Sequence, residues 1–356
     1  MAHFNIIGRL LLLGMTLLLS ALSTNVFGQN PNFHIYLAFG QSNMEGQGPI
    51  EEEDRNVPSN VKVLWSSTAS DVADEIRNTG KWYTAVPPLS HRYGKLGVAE
   101  YFGRKLSEEL GKSITIGIIN VSVAGASISL FDKDTYADYI NNMGSATWLT
   151  QRIDAYGGNP YGRLIEMAKL AQKEGVIKGI IMHQGETDKD DGEWPSKVKK
   201  VYNDIINDLN LGNDIPLLAG EALRIGVGRT ANTNIAKLPK QNSNFYVVSS
   251  EGFYQALGDG QNLHFTSAEY RSFGIRYAEK MIEVLGDKIR TVAGDVNNDG
   301  SVTMADANMV VNYFLATDKN SISGFNKEAG DVNKDGDVSM ADANAIVNIF
   351  LSGNTQ

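Results

Sequence analysis

Along most of the chain, apolar residues gather in short runs of strand length, separated by stretches with helical spacing. The runs are FHIYLAF (33–39), SITIGIINVSV (113–123), VIKGIIMH (176–183), DIPLLAG (214–220) and NFYVVSS (244–250). Between them, KLGVAEYFGRKLSEELG, YGRLIEMAKLAQKEG and SKVKKVYNDIINDLNL are amphipathic helix candidates, and SAEYRSFGIRYAEKMIEVLG follows as the last. Strand-length runs alternating with amphipathic segments predict a parallel sheet flanked by helices. Residues 30–290 are thus expected to form one α/β domain of the doubly wound kind. The stretch from Asp132 to Pro160 is rich in Tyr, Asn and Gly and has no clear period, so it reads as a surface excursion, either shaping a substrate groove or a plain insertion.

The first segment has a different pattern. One basic residue, Arg9, precedes the apolar run LLLLGMTLLLSAL (10–22), and a small residue, Gly28, lies beyond it. A membrane-spanning helix needs about 20 apolar residues, so the run predicts a signal peptide over residues 1–28 in preference to a retained anchor, and hence a secreted protein, extracellular, periplasmic or at the cell surface.

After Gly294 an internal repeat emerges: GDVNNDGSVTMADANMVVNYFL (294–315) returns as GDVNKDGDVSMADANAIVNIFL (330–351). Oxygen-bearing side chains recur at alternate positions, Asp295, Asn297 and Asp299 with a closing Asp306, then Asp331, Asn333 and Asp335 with a closing Asp342. Alternate spacing on a tight loop aims successive oxygens at one centre. Gly300 and Gly336 permit the turn, and Ser301 and Asp337 offer backbone carbonyls at the seventh position. Each loop runs into an apolar helix. The closing Asp and the missing preceding helix resemble a type I dockerin over residues 294–351. That resemblance implies two calcium ions, a pseudo-twofold pair of loop-helix units and a cohesin partner. The partner-reading positions map onto Met304 and Ala305, and onto Met340 and Ala341, which are more apolar than the hydroxyl residues common in the family.

Charge and composition narrow the classes. A net charge of -9 argues against nucleic acid, and the absence of cysteine excludes disulfide stapling, thiolate catalysis, zinc held by sulfur and a cysteine-linked lipid anchor. Residues 294–356 hold eight Asp, one Glu and three Lys, so most of the acidity belongs to the expected calcium loops.

Open α/β sheets bind ligands at the carboxyl ends of their strands, and four polar stations fall there. The first is Gly40-Gln41-Ser42-Asn43-Met44, where Gly40 allows a turn that presents the Ser42 hydroxyl and N–H at a helix start. The second contains Gly125, able to bring an N–H close to a substrate. The third is His183-Gln184-Gly185-Glu186-Thr187-Asp188, a polar cluster that is costly to bury directly after an apolar strand without purpose. The fourth is Asn262-Leu263-His264-Phe265-Thr266, just before the last helix. In this order the stations resemble the SGNH hydrolases. More narrowly, GQSNM, HQGE and NLHFT resemble the sialate O-acetylesterase and carbohydrate esterase family six group over residues 33–286. The resemblance implies a flavodoxin-like fold and hydrolysis of O-acetyl groups on sugars, with acetylated xylan-type polysaccharide as the leading substrate and O-acetylated sialic acid on host glycans as the alternative. It also implies Ser42 as nucleophile, His264 as general base, and an oxyanion hole from the N–H groups of Ser42 and Gly125 with the Gln184 side chain. No cofactor is implied for catalysis.

Many SGNH enzymes carry the triad acid three residues before the histidine, where this chain has Gln261. Glu186 is the favoured replacement and Asp259 the alternative, with Asp188 structural and Asn43 tying the nucleophile turn. Two other readings use the same residues. His183, Glu186 and His264 as ligands would make a metallohydrolase, and an idle Ser42 would leave a non-catalytic glycan-binding scaffold.

Overall fold

The computed structural model describes residues 29–353 except 259, 261, 290 and 291. The expected signal peptide, Gln261 and the alternative acid Asp259 therefore lie outside the described residues. Among the described residues nine strands are formed: β1 (Asn30–Gly40), β2 (Val61–Leu64), β3 (Ser70–Val72), β4 (Glu75–Arg77), β5 (Trp82–Thr84), β6 (Thr115–Ser122), β7 (Gly175–His183), β8 (Leu217–Gly220) and β9 (Phe245–Val248). Seven of them make one sheet in the order β5-β2-β6-β1-β7-β8-β9, and β3 and β4 form a separate hairpin. Every pairing in the large sheet is parallel except that of β5 with β2. The chain leaves β1 toward β2 on one side and leaves β7 toward β8 on the other, so the carboxyl ends of β1 and β7 flank a topological switch point.

Alternation along β1 divides the core into two layers. Ile35, Leu37 and Phe39 pack with the helices Pro160–Ala171 and Trp194–Asp208, while Tyr36 and Ala38 face Ala99–Leu110 and Ser267–Leu285. Local signals start two of these helices. The Asn159 side chain accepts from the Gly162 N–H at 2.8 Å ahead of Pro160. Thr266 and Glu269 form a reciprocal capping box that fixes the loop carrying His264 against the last helix.

The expected strands and helices are present, and the structure adds elements the pattern did not reveal. β2 and β5 are only four and three residues long, and Lys62 interrupts the apolar run of β2. A helix at Gly228–Ile235 is largely polar, and the excursion from Asp132 to Pro160 holds two more, Tyr136–Asn142 and Thr147–Asp154. The second of these buries Leu149 and Ile153, one turn apart, a stripe too short to stand out as a period.

Gly40 ends β1 at φ +149°, and a Cβ there would lie 2.2 Å from the His183 carbonyl oxygen. That carbonyl is itself held, accepting from the Gln41 N–H at 2.9 Å, so neither backbone can give way. Gly40→Ala is expected to destabilise the main domain by about 3 kcal/mol. In a urea titration this means an earlier midpoint at unchanged slope, and an unmoved midpoint contradicts the account.

The tail is helical, with Met304–Leu315 and Met340–Gly353 packed on each other around Val296, Val310, Val338 and Ile346. It is clamped to the amino end of β1. The Asn32 side chain donates to the Ala293 carbonyl and accepts from the Ala293 N–H, both at 2.8 Å, as a strand neighbour would. Among the described residues no helix is long and apolar enough to cross a membrane.

Candidate active site

The three central strands β6, β1 and β7 deliver the first three stations to one end of the sheet, and the loop before the last helix brings the fourth. Ser42, Gly125, Glu186 and His264 all line one cleft of about 560 Å³. Ser42 is the first residue of a single helical turn, Ser42–Glu45, so its N–H is one of the orphan donors of a helix start. Among the described residues neither that N–H nor the N–H of Gly125 has an acceptor. Gly125 adopts φ +74°, and a Cβ there would meet the Trp148 ring at 2.6 Å, so only glycine lets the indole close over this point.

Asn43 joins three of the stations. Its Nδ2 donates to Glu186 Oε1 at 2.7 Å and to the Leu263 carbonyl at 3.1 Å, and its Oδ1 accepts from the Tyr270 hydroxyl at 2.5 Å. The residue before His264 is thereby fixed to the same amide that holds Glu186. Burial pushes the Glu186 carboxyl up, but His183, whose Nε2 lies 3.4 Å from Oε1, together with Asn43 outweighs it and holds the group below the ordinary carboxylate range. Glu186 Oε2 is buried and has no hydrogen-bond partner among the described residues. A buried acceptor left unpaired costs about 1–3 kcal/mol, and in a cleft wall that marks a place for a donor.

Two neighbouring residues take other positions than expected. Gln184 is buried and does not line the cleft: its Nε2 donates to Gln41 Oε1 and the Ala126 carbonyl, both at 3.2 Å, and to Asp188, while its Oε1 accepts from the Trp194 indole. With its amide hydrogens already engaged, it is not available as the third oxyanion donor, and the glutamines bordering the cleft are Gln41 and Gln47. Asp188 braces the loop after β6, accepting from the Ser127 hydroxyl at 2.6 Å and the Ile128 N–H at 2.8 Å. His183 is also withdrawn. It is wedged between the edges of Phe265 and Phe273, with Nδ1 3.3 Å from the Tyr277 hydroxyl. Among the described residues the one cluster of three carboxylates with converging oxygens is Asp132, Asp134 and Asp204, and Lys200 occupies its centre at 2.6–2.9 Å. The set His183, Glu186 and His264 is not among the groups that converge in this way.

Sequence reasoning missed the residues that complete the cleft wall. Glu45, one turn after Ser42, is fully buried and accepts from Arg152 Nε at 2.9 Å, from the Ala124 N–H at 2.6 Å, and from Gln47 at 3.1 Å; His91 Nε2 lies 3.1 Å away. The Tyr93 N–H donates to His91 Nδ1 at 3.2 Å, which leaves Nε2 to carry the proton toward Glu45. Burial raises the Glu45 carboxyl, but His91, Arg152 and the Ala124 N–H hold it below the usual range. One carboxylate therefore ties the Ser42 turn to the Ala124-Gly125 loop and to the Thr147–Asp154 helix. The acidic residue in GQSNMEG was the only sequence signal for it.

In the tail the two loops repeat the hydrogen bonds of their first aspartate. Asp295 accepts from the Asp299 and Gly300 N–H groups, and Asp331 from those of Asp335 and Gly336. Asp306 and Asp342 are fully buried, and among the described residues no lysine or arginine pairs with either. Burial, with the charges of Asp306 and Asp299 adding to it, pushes the Asp295 carboxyl up. Crowded, uncompensated carboxylates beside amide and carbonyl oxygens fit a hard cation such as calcium.

The architecture has counterparts among solved structures. A protein from Arabidopsis thaliana is 20% identical, with a TM-score of 0.53 over 71% of this chain and 98% of its own. NanS is 18% identical, with the same TM-score and the same coverage of each chain. At these identities the likeness concerns the fold alone. The tail, residues 293–351, matches the dockerin type I domain, a calcium-binding module, and residues 32–283 match the model for carbohydrate esterase, sialic acid-specific acetylesterase. The second match spans most of the chain and coincides with the domain that holds the cleft, and the chain accordingly belongs to the sialic acid-specific acetylesterase family of carbohydrate esterases, with a type I dockerin behind it.

Proposed function

We propose that this is a secreted carbohydrate O-acetylesterase that removes acetyl groups from polysaccharide by a Ser-His-acid mechanism. The observation that carries the reading is the meeting at one cleft of Ser42, His264, the Gly125 N–H and Glu186 Oε2, the last two without a partner among the described residues. His264 takes the Ser42 proton as Oγ bonds to the acetyl carbonyl carbon. The carbonyl oxygen becomes an oxyanion between the N–H groups of Ser42 and Gly125. Collapse breaks the bond to the sugar oxygen, which leaves with the proton from His264. Water repeats the sequence on the acetyl-enzyme, releasing acetate and restoring Ser42.

Glu186 is the acid of this scheme, because its second oxygen is held in the cleft wall without a donor among the described residues while His183 and Asn43 favour its ionised form. Comparison of Glu186→Gln with Asp259→Asn on acetylated xylan tests the whole reading. Glu186→Gln is expected to lower kcat by about 10²–10⁴-fold, with little effect from Asp259→Asn. The reverse ranking transfers the role to Asp259, and no acetate release by wild type from any acetylated glycan removes the esterase reading. O-acetylated sialic acid is the second substrate to include in that panel, favoured by the family description.

In the tail, Asp295, Asn297, Asp299, Asp306 and the Ser301 carbonyl would hold one calcium ion, and Asp331, Asn333, Asp335, Asp342 and the Asp337 carbonyl a second. The ions would supply the charge that lets these loops close, and the helices behind them would present Met304 and Met340, both more than 40% exposed, to a cohesin-type partner.

A further inference from the structure

The cleft has a wall that the acyl-transfer chemistry does not use. Trp148 is 49% exposed at its mouth, although one edge of its indole is pressed on Gly125 beside Ser42. A tryptophan in the main domain normally buries most of its 150–250 Å², as the fully buried Trp65 and Trp194 do. This one is instead held rigidly in the open. The Arg152 guanidinium lies 5.7 Å over its ring and 5.5 Å over that of Tyr93, itself 37% exposed, and Arg152 Nη1 donates to the Trp148 carbonyl at 3.1 Å. Arg152 is in turn fixed by the buried Glu45.

Resting on the esterase reading above, we propose that the Trp148 face is a stacking subsite for a neutral pyranose ring of the acetylated glycan, next to the acetyl-reacting position at Ser42. The apolar C–H face of a sugar suits an indole that is apolar in the middle and wet at its rim, while Gln47 and Thr187, which also line the cleft, offer polar groups to sugar hydroxyls. The ring is neutral because the guanidinium on this wall already has a carboxylate partner in Glu45, and the carboxylate that lines the cleft, Glu186, would repel another. The same wall is stiff before substrate arrives, so little ordering has to occur on binding.

The test uses the full chain with two readouts. In kinetics, Trp148→Ala is expected to raise KM for acetylated xylo-oligosaccharide about tenfold, and to lower the ratio of its kcat/KM to that for nitrophenyl acetate by a similar factor, with Trp148→Phe recovering most of the loss. An equal fall on both substrates means that Trp148 acts only by supporting Gly125, and overturns the subsite. In calorimetry, the Ser42→Ala protein is expected to bind unacetylated xylo-oligosaccharide about ten times more tightly than Ser42→Ala/Trp148→Ala. This readout does not depend on hydrolysis, so the subsite stands or falls by it even if wild type proves inactive. Greater wild-type kcat/KM on O-acetylated sialic acid than on the neutral oligosaccharide overturns the assignment of ring class.

Discussion

Ser42→Ala is expected to lower kcat on acetylated glycan by about 10⁴-fold or more, leaving a residue of activity from the oxyanion donors and substrate binding alone. The fold should be unaffected, since no hydrogen bond among the described residues depends on the Ser42 hydroxyl. The turn is held by its neighbours instead: Asn43 through Glu186, Leu263 and Tyr270, and Glu45 through Arg152, Ala124 and His91. His264→Ala should fall to a similar level, and the double variant barely further, because nucleophile and base act as one unit. Additive losses in the double variant, or full acetate release by Ser42→Ala with an unchanged melting curve, would show that the serine is a cap on a structural turn and that the chemistry lies elsewhere.

The second large effect is on the tail. Its described apolar core is small, with Val296, Val310 and Ile346 among its few fully buried side chains. A core of that size supports little stability alone, and the loop carboxylates repel each other. Calcium at a hundred times its dissociation constant adds about 2.7 kcal/mol per site, about 5.4 kcal/mol for the two, which for a module of this length moves its melting transition by about 20–40 °C. In scanning calorimetry of the full chain the transition of the tail should rise by that amount with calcium and fall with a chelator, while the main-domain transition stays in place. Asp306→Ala should remove much of the gain, since Asp306 also accepts from the Val296 and Thr303 N–H groups. A calcium-independent trace would refute the loop assignment.

The parts of this molecule that follow a short period were readable in advance. Residues 33–39 and 113–123 carry enough apolar side chains to declare strands, and the 36-residue repeat displays its oxygens at alternate positions. Ser42, Gly125, Glu186 and His264 could be singled out because each borders an element that pattern does reveal, the first three after a strand and His264 before the last helix. The Glu45–Arg152 contact was not readable, since it joins positions 107 apart, and nothing in the spacing of either segment refers to the other. Gln184 shows the converse. Its place in HQGE suggested a donor to the substrate, but which way an amide faces is decided by Gln41 and Ala126 from two other strand ends, together with Asp188 and Trp194 further along the same chain segment.

The Asn32 clamp on Ala293 sets where this catalyst is held. Ser42 lies two residues beyond the end of β1 and Asn32 is near its start, so the attachment point and the proposed nucleophile are separated by about 25 Å of strand. Whatever protein grips the tail thus takes hold of the molecule as a hand takes a chisel, with the working edge pointing outward. Anchoring and the proposed chemistry need not compete for the same face, and under the proposed function an esterase mounted this way would sweep its glycan while remaining attached.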